Sequence, residues 1–215
     1  MSKITLYWYW TTNPQKVRWA LEEAKLPYEL KKIDLARRGH HDADFKKINP
    51  RSKVPVAIID GVKIIESSAI LLTLTQRYGI LWPKEPNLIA KGYELLFSES
   101  SSFSTTAGTF YYQLMITPRL GRSPDLNKLR SAKRRLTPLL DELEELLSDG
   151  RPFLLRELSI VDCAYGVWLP HINLSLHPMI AAWRTRLMER PAWRRAELRN
   201  NLTKIPSLDV DSIER

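Results

Sequence analysis

The sequence predicts an α/β unit over residues 1–79, with a mixed four-stranded sheet in the order β-α-β-β-β-α, followed by an all-α unit over residues 88–203. Three observations predict it. Strand and helix signals alternate through the first 78 residues. Asp60-Gly61 sits between two short β-branched runs, the signal of a two-residue hairpin. Beyond Pro83 and Pro86 the apolar residues recur at spacings of 3 and 4, the period of helices.

The run from Ile4 to Trp10 is β-branched and aromatic and suits a first strand. Thr11-Thr12-Asn13-Pro14 stops it, with Asn13 as a helix N-cap and Pro14 as the first helical residue, where a missing N–H costs nothing. Val17, Ala20, Leu21 and Ala24 then line one helix face, and Pro27 ends it. Tyr28 to Leu35 reads as a second strand, and Arg37 to Asn49 as polar and irregular. Val54 to Ile59 and Val62 to Ile65 are the hairpin strands, and Ser67 to Tyr78 is an apolar helix. A crossover helix makes the first two strands parallel, and the tight hairpin makes the last two antiparallel.

Residues 80–87 read as a linker. A helix begins near Leu88 and runs through Ser98–Thr106 to Met115. Leu126, Leu129, Ala132, Leu136, Leu140, Leu143 and Leu147 form an amphipathic stripe, interrupted by Pro138, which predicts a kink or break. Ser159 and Asp162 form a capping box that opens a buried helix to Leu169. Pro178 to Arg190 and a short segment from Pro191 are the last helices, and residues 204–215 read as a tail.

Charge and cysteine count narrow the function. The 215 residues carry a net +9, and residues 1–80 hold 14 Lys+Arg against 8 Asp+Glu. No run of five basic residues and no zinc-finger, basic-zipper or RNA-recognition signature occurs, so no nucleic-acid partner is expected. The basic excess of the first 80 residues suits a small anion instead. A single cysteine, Cys163, makes neither an internal disulfide nor a zinc cluster, and the four histidines lack ligand spacing, so no metal is expected. No stretch of about 18 apolar residues and no signal-peptide pattern occurs, so no membrane partner is expected and the location expected is cytoplasmic.

Three segments carry a resemblance: Asn49-Pro50-Arg51-Ser52-Lys53-Val54-Pro55, Ile65-Glu66-Ser67-Ser68-Ala69-Ile70, and His177-Pro178-Met179-Ile180-Ala181-Ala182-Trp183 with Arg190-Pro191-Ala192. An α/β unit of this order, with Val54-Pro55 opening the third strand, resembles the thioredoxin fold. With an appended helical unit the whole resembles the cytosolic glutathione S-transferases, in particular serine- and threonine-type bacterial members with a Thr-x-Asn pattern.

The resemblance implies a glutathione site. Pro55 would be cis, leaving the N–H and C=O of Val54 free to pair with the tripeptide as an added strand. Ser67 would hold the γ-glutamyl carboxylate and Glu66 the γ-glutamyl ammonium. Lys53, with His40 or His41, would hold the glycyl end. Thr11 would donate to the glutathione sulfur, with Asn13 as a second contact; Tyr7 and Tyr9 are the alternative donors, or pack in the interior. A hydroxyl donor of this kind favours the thiolate. Phe103, Phe110 and Tyr111 would wall the pocket for a second substrate, Asp162 would be a structural cap and Cys163 a core thiol. The partners implied are glutathione as co-substrate, with no other cofactor, a small apolar electrophile, and a second copy of the chain in a homodimer. The activity implied is thiolate attack on the electrophile. Alternatives are a glutathione-dependent disulfide reductase or peroxidase, and a non-catalytic binding or scaffold protein of the same fold.

Overall fold

The computed structural model describes residues 3–196. They fall into two compact units: the residues up to Trp82 joined by the segment from Arg190, and the residues from Pro83 to Glu189. The expected end of the helical unit at residue 203 and the tail at 204–215 lie outside the described residues.

The first unit holds β1 (Ile4–Trp8), α1 (Thr12–Glu23), β2 (Glu29–Lys32), α2 (Ala43–Ile48), β3 (Val56–Ile59), β4 (Val62–Ile65) and α3 (Ser67–Tyr78). The sheet is mixed, in the order β2-β1-β3-β4. β1 and β2 are parallel, and β3 is antiparallel to both β1 and β4. Asp60 and Gly61 both have positive φ, +50° and +82°, as a hairpin turn matched to the twist of its strands demands. The core is Leu6, Val17, Ala20, Leu21, Val56, Ala57, Ile70, Leu71 and Leu74, all fully buried.

Two local expectations change. Helix α1 begins two residues earlier, with Thr11 as N-cap and Asn13 and Pro14 inside the first turn. Proline is tolerated there because those N–H groups have no helical acceptor. The segment read as irregular contains α2, which begins after Asp42 and buries a single aromatic, Phe45.

The segment from Arg190 packs on α1. Both nitrogens Nε and Nη2 of Arg190 donate to the Glu23 carboxylate, at 2.7 and 2.8 Å. Trp193, in α10 (Pro191–Ala196), meets Trp19 edge-on with centroids 4.8 Å apart. Arg195 Nε donates to Glu22 at 2.7 Å, and the Tyr28 hydroxyl donates to the other Glu22 oxygen at 2.5 Å. The last described helix is therefore part of the sheet unit, whereas the sequence groups it with the helices.

The helical unit holds α4 (Pro86–Ser98), α5 (Ser104–Tyr111), α6 (Thr117–Arg119), α7 (Leu126–Leu147), α8 (Ile160–Gly166) and α9 (Pro178–Met188). α4, α5 and α6 form one helical run joined by two π-helical stretches, Glu99–Phe103 and Tyr112–Ile116. α7 passes through Pro138 unbroken; its stripe from Leu129 to Leu147 is buried, and that packing outweighs the one lost backbone bond. Asp162 is fully buried and accepts from the Leu154 and Ser159 backbones, the Ser159 hydroxyl and Trp183 Nε1, at 2.8–3.1 Å. No described helix is long and apolar enough to cross a membrane.

Candidate active site

Strand register builds the site. Tyr7 of β1 pairs with Val56 of β3, and Val56 pairs with Ile65 of β4. Trp8 pairs with Lys32 at the end of β2. One end of the sheet therefore gathers the exit of β1, the exit of β2, the entry of β3 and the exit of β4. Thr11, the segment to His40, Val54-Pro55, and Glu66-Ser67 leave from that same end.

The loop into β3 is tightly specified. Asn49 is 2% exposed, and its amide donates to the Lys53 carbonyl at 2.7 Å. Its Oδ1 accepts from the Arg51 backbone at 3.0 Å, and its carbonyl accepts from Ser52 N–H at 2.9 Å. Ser52 holds φ +54°, and the Val54–Pro55 peptide is cis. Val54 precedes the first paired residue of β3, so its backbone lies outside the ladder. Lys53 is exposed.

Two helices start at this end without a side-chain cap. Thr11 is extended, and its hydroxyl makes no capping bond; its backbone N–H donates to the Tyr9 carbonyl at 2.7 Å. Asn13 is exposed and Thr12 buried. Glu66, the N-cap of α3, has φ +73°, a region that disfavours every residue except glycine. Its carboxylate is exposed and accepts from Arg51 Nη1 at 2.7 Å. Ser67 is half-buried and is the first residue of α3. The open N–H groups at both helix starts, with their partial positive charge, suit a thiolate or a carboxylate.

Tyr7 and Tyr9 are engaged in packing. The Tyr7 ring lies 6.2 Å from Phe45, with the Lys31 ammonium 5.8 Å above it. Burial and the neighbouring Asp34 charge push the Tyr9 hydroxyl up, and Lys32 stacks over its ring at 5.8 Å. His40 is half-buried, with Nδ1 enclosed and lacking a hydrogen-bond partner, and the exposed His41 ring lies 4.0 Å away. Burial, then the charges of His41 and Arg38, lower the His40 pKa and disfavour its protonated form.

The three aromatic residues expected to wall a second pocket divide. Phe103 and Phe110 are in the core at 0% exposure, and Phe103 meets Tyr165 edge-on at 4.9 Å, so neither ring presents a surface to a ligand. Tyr111 is half-buried, 5.5 Å from the His171 ring, and its hydroxyl is pushed up by burial. Rings at helical spacing read alike as core and as pocket wall, so the sequence does not separate them. The ion pair of Arg51 with Glu66 was not expected. Both residues stand in the quoted segments, but only the fold shows that the two segments meet.

Two family models match in chain order. That of the glutathione S-transferase N-terminal domain covers residues 2–74, and that of the C-terminal domain residues 120–196. Disulfide-bond oxidoreductase YfcG of Escherichia coli is 29% identical over 212 residues, covering 93% of this chain and 96% of that protein. Glutathione S-transferase 3 of Zea mays is 27% identical over 197 residues, 85% of this chain and 87% of its own. A glutathione transferase of Burkholderia graminis, solved with two glutathione molecules bound per subunit, superposes with a TM-score of 0.82 at 22% identity, over 93% of this chain and 89% of the other. The first model falls on the sheet unit, and the second runs from the residue after α6 to the end of α10: the chain belongs to the glutathione S-transferase family.

Proposed function

We propose that the chain binds glutathione at the gathered end of its sheet and activates the thiol for attack on a small apolar electrophile. The observation that carries this reading is the meeting of a cis Val54–Pro55 with two uncapped helix starts, at Thr11 and at Glu66-Ser67. Val54 offers unpaired backbone to the cysteinyl part of the tripeptide. Ser67 and the α3 N-terminus take the γ-glutamyl carboxylate, and Glu66 takes the ammonium. Lys53, with His40, takes the glycyl carboxylate. Thr11 donates its hydroxyl to the sulfur and Asn13 supplies a second polar contact. A free thiol of pKa about 8.5 is mostly protonated at neutral pH, so a donor that favours the thiolate raises the reacting fraction. The thiolate bonds to the electrophilic carbon, and the leaving group departs with the displaced electron pair.

A second reading is favoured by the likeness to Disulfide-bond oxidoreductase YfcG. Here the thiolate attacks one sulfur of a disulfide and expels the other as a thiolate. A second glutathione then resolves the mixed disulfide, leaving glutathione disulfide and a second reduced thiol. Residues Thr11 and Asn13 serve both readings, and both take the protein as a homodimer in a reducing cytoplasm. The test is retention on immobilised glutathione together with a turnover panel of chlorodinitrobenzene, a hydroperoxide, a mixed disulfide and an isothiocyanate. Conjugation of the halide supports the first reading, and disulfide turnover alone supports the second. Retention without any turnover marks a binding protein, and no retention overturns both.

A further inference from the structure

Arg51 and Glu66 form an ion pair of 2.7 Å between the loop into β3 and the start of α3, with 63% and 65% of their side chains exposed. A pair this exposed contributes little to folding, so its geometry needs another reason. The loop fixes one partner: the buried Asn49 accepts from the Arg51 backbone and donates to the Lys53 carbonyl. The strained φ of +73° fixes the other by turning Glu66 out of the helix. The result is one guanidinium and one carboxylate presented together beside Ser67, two residues before Lys53.

A γ-glutamyl group ends in a zwitterion, with an α-ammonium and an α-carboxylate on one carbon. An Arg–Glu pair is its charge complement. The guanidinium has five N–H donors in a planar fork, and its bond to Glu66 runs through Nη1, so a carboxylate can dock on the fork while the ammonium docks on Glu66. We infer that Arg51 is a specificity-determining residue that holds the γ-glutamyl α-carboxylate together with Ser67. This divides the basic residues of the loop, with Arg51 serving the γ-glutamyl end and Lys53 the glycyl end. The inference rests on the reading of this end of the sheet as the glutathione site.

The test uses S-methylglutathione and two analogues, one lacking the α-carboxylate and one lacking the α-amine. Each is titrated calorimetrically into the wild-type protein, Arg51→Gln and Arg51→Lys. In the wild type, loss of the α-carboxylate should weaken binding about 10- to 100-fold, the scale of a charge-assisted bond. In Arg51→Gln that discrimination should fall several-fold, Ser67 and the α3 N-terminus keeping the rest, while discrimination against the analogue lacking the amine persists. Arg51→Lys should recover part of it, because a point charge lacks the fork. Undiminished discrimination in Arg51→Gln overturns the inference and leaves the glutathione site standing. Wild-type protein that binds none of the three ligands overturns both.

Discussion

The two units treat their helix starts differently. In the helical unit the Glu85 side chain accepts from two backbone N–H groups of α4, and the Asp125 side chain does the same for α7. The Ser159–Asp162 box closes α8, and Glu144 of α7 accepts from Met179 and Ile180 at the start of α9. In the sheet unit α1 and α3 start at Thr11 and Glu66 with no side-chain cap. The first arrangement satisfies the polar groups at a helix end from within the protein, whereas the second leaves them for something else. The two acidic residues Asp162 and Glu66 show the contrast most clearly. Asp162 is fully buried with four donors, and Glu66 is exposed and strained with one.

The largest effect that could break this comparison lies at Asp162. Asp162→Ala leaves the Leu154 and Ser159 N–H groups and Trp183 Nε1 buried without their acceptor. Such a loss costs about 3–5 kcal/mol. At ~2–4 °C per kcal/mol for a chain this size, a thermal melt should drop by about 10 °C or more. A drop of under about 3 °C would show that the box is not what closes α8.

Thr11 is the opposite case. Thr11→Ala should lower kcat/KM by ~10- to 100-fold, the loss of one hydrogen bond to a thiolate. An ordinary N-cap lost to alanine costs about 1 kcal/mol. Because the Thr11 hydroxyl makes no capping bond, the denaturant midpoint should stay within about 0.5 kcal/mol of wild type. A destabilised variant with normal turnover would make Thr11 a cap like the others. Normal turnover paired with an inactive Tyr7→Phe would move the thiolate donor to Tyr7.

The contrast extends to titratable groups. Burial lowers the His171 pKa to about 4 and raises the Asp162 carboxyl to about 6. The unfolded histidine protonates below about 6.5, while the folded one stays neutral until about pH 4. The stability this gives is full above pH 6.5 and is lost as pH falls towards 4. Asp162 acts with the opposite sign. Its folded form takes up a proton near pH 6 and its unfolded form near 4, so acidification over that window stabilises the fold. The two partly cancel in the wild type. His171→Phe removes the first term, so between pH 7.5 and 5 the wild type should lose about 1–2 kcal/mol relative to the variant, read from denaturant midpoints. Parallel pH curves would remove His171 from the account.

What was legible in the sequence is what short-range chemistry decides. Asp60-Gly61 sets the hairpin because two adjacent residues supply two positive φ values. The Ser159–Asp162 box and the Leu129–Leu147 stripe are likewise local. Helix α2 escaped because Phe45 is its one buried residue, too few for a period. The start of α1 shifted by two because Asn13-Pro14 has the composition of a cap while the turn at Tyr9–Thr11 places that role on Thr11. Assignment of the last helix to the sheet unit depends on Arg190 and Glu23, 167 positions apart. For the candidate site, the segments at Thr11, Val54-Pro55 and Glu66-Ser67 were each readable. Their convergence follows from strand register, and the Arg51–Glu66 pair from the convergence.

The smallest effect isolates the strain at Glu66. Glu66→Gly and Glu66→Ala both remove the carboxylate and its bond to Arg51, so any loss of glutathione affinity from that cause is common to both. They differ at the backbone, because φ +73° costs alanine what it does not cost glycine. The glycine variant should therefore be more stable than the alanine variant by about 1 kcal/mol, less the entropy glycine adds to the unfolded chain. Paired denaturant titrations measure the difference, and competitive binding of S-methylglutathione measures the shared loss. A more stable glycine variant that binds glutathione worse than wild type would place Glu66 where the fold gives up stability to turn a carboxylate towards a ligand. Equal stability of the two variants would mean that the α3 start relaxes without cost. The contrast with the closed helix starts would then rest on Thr11 alone.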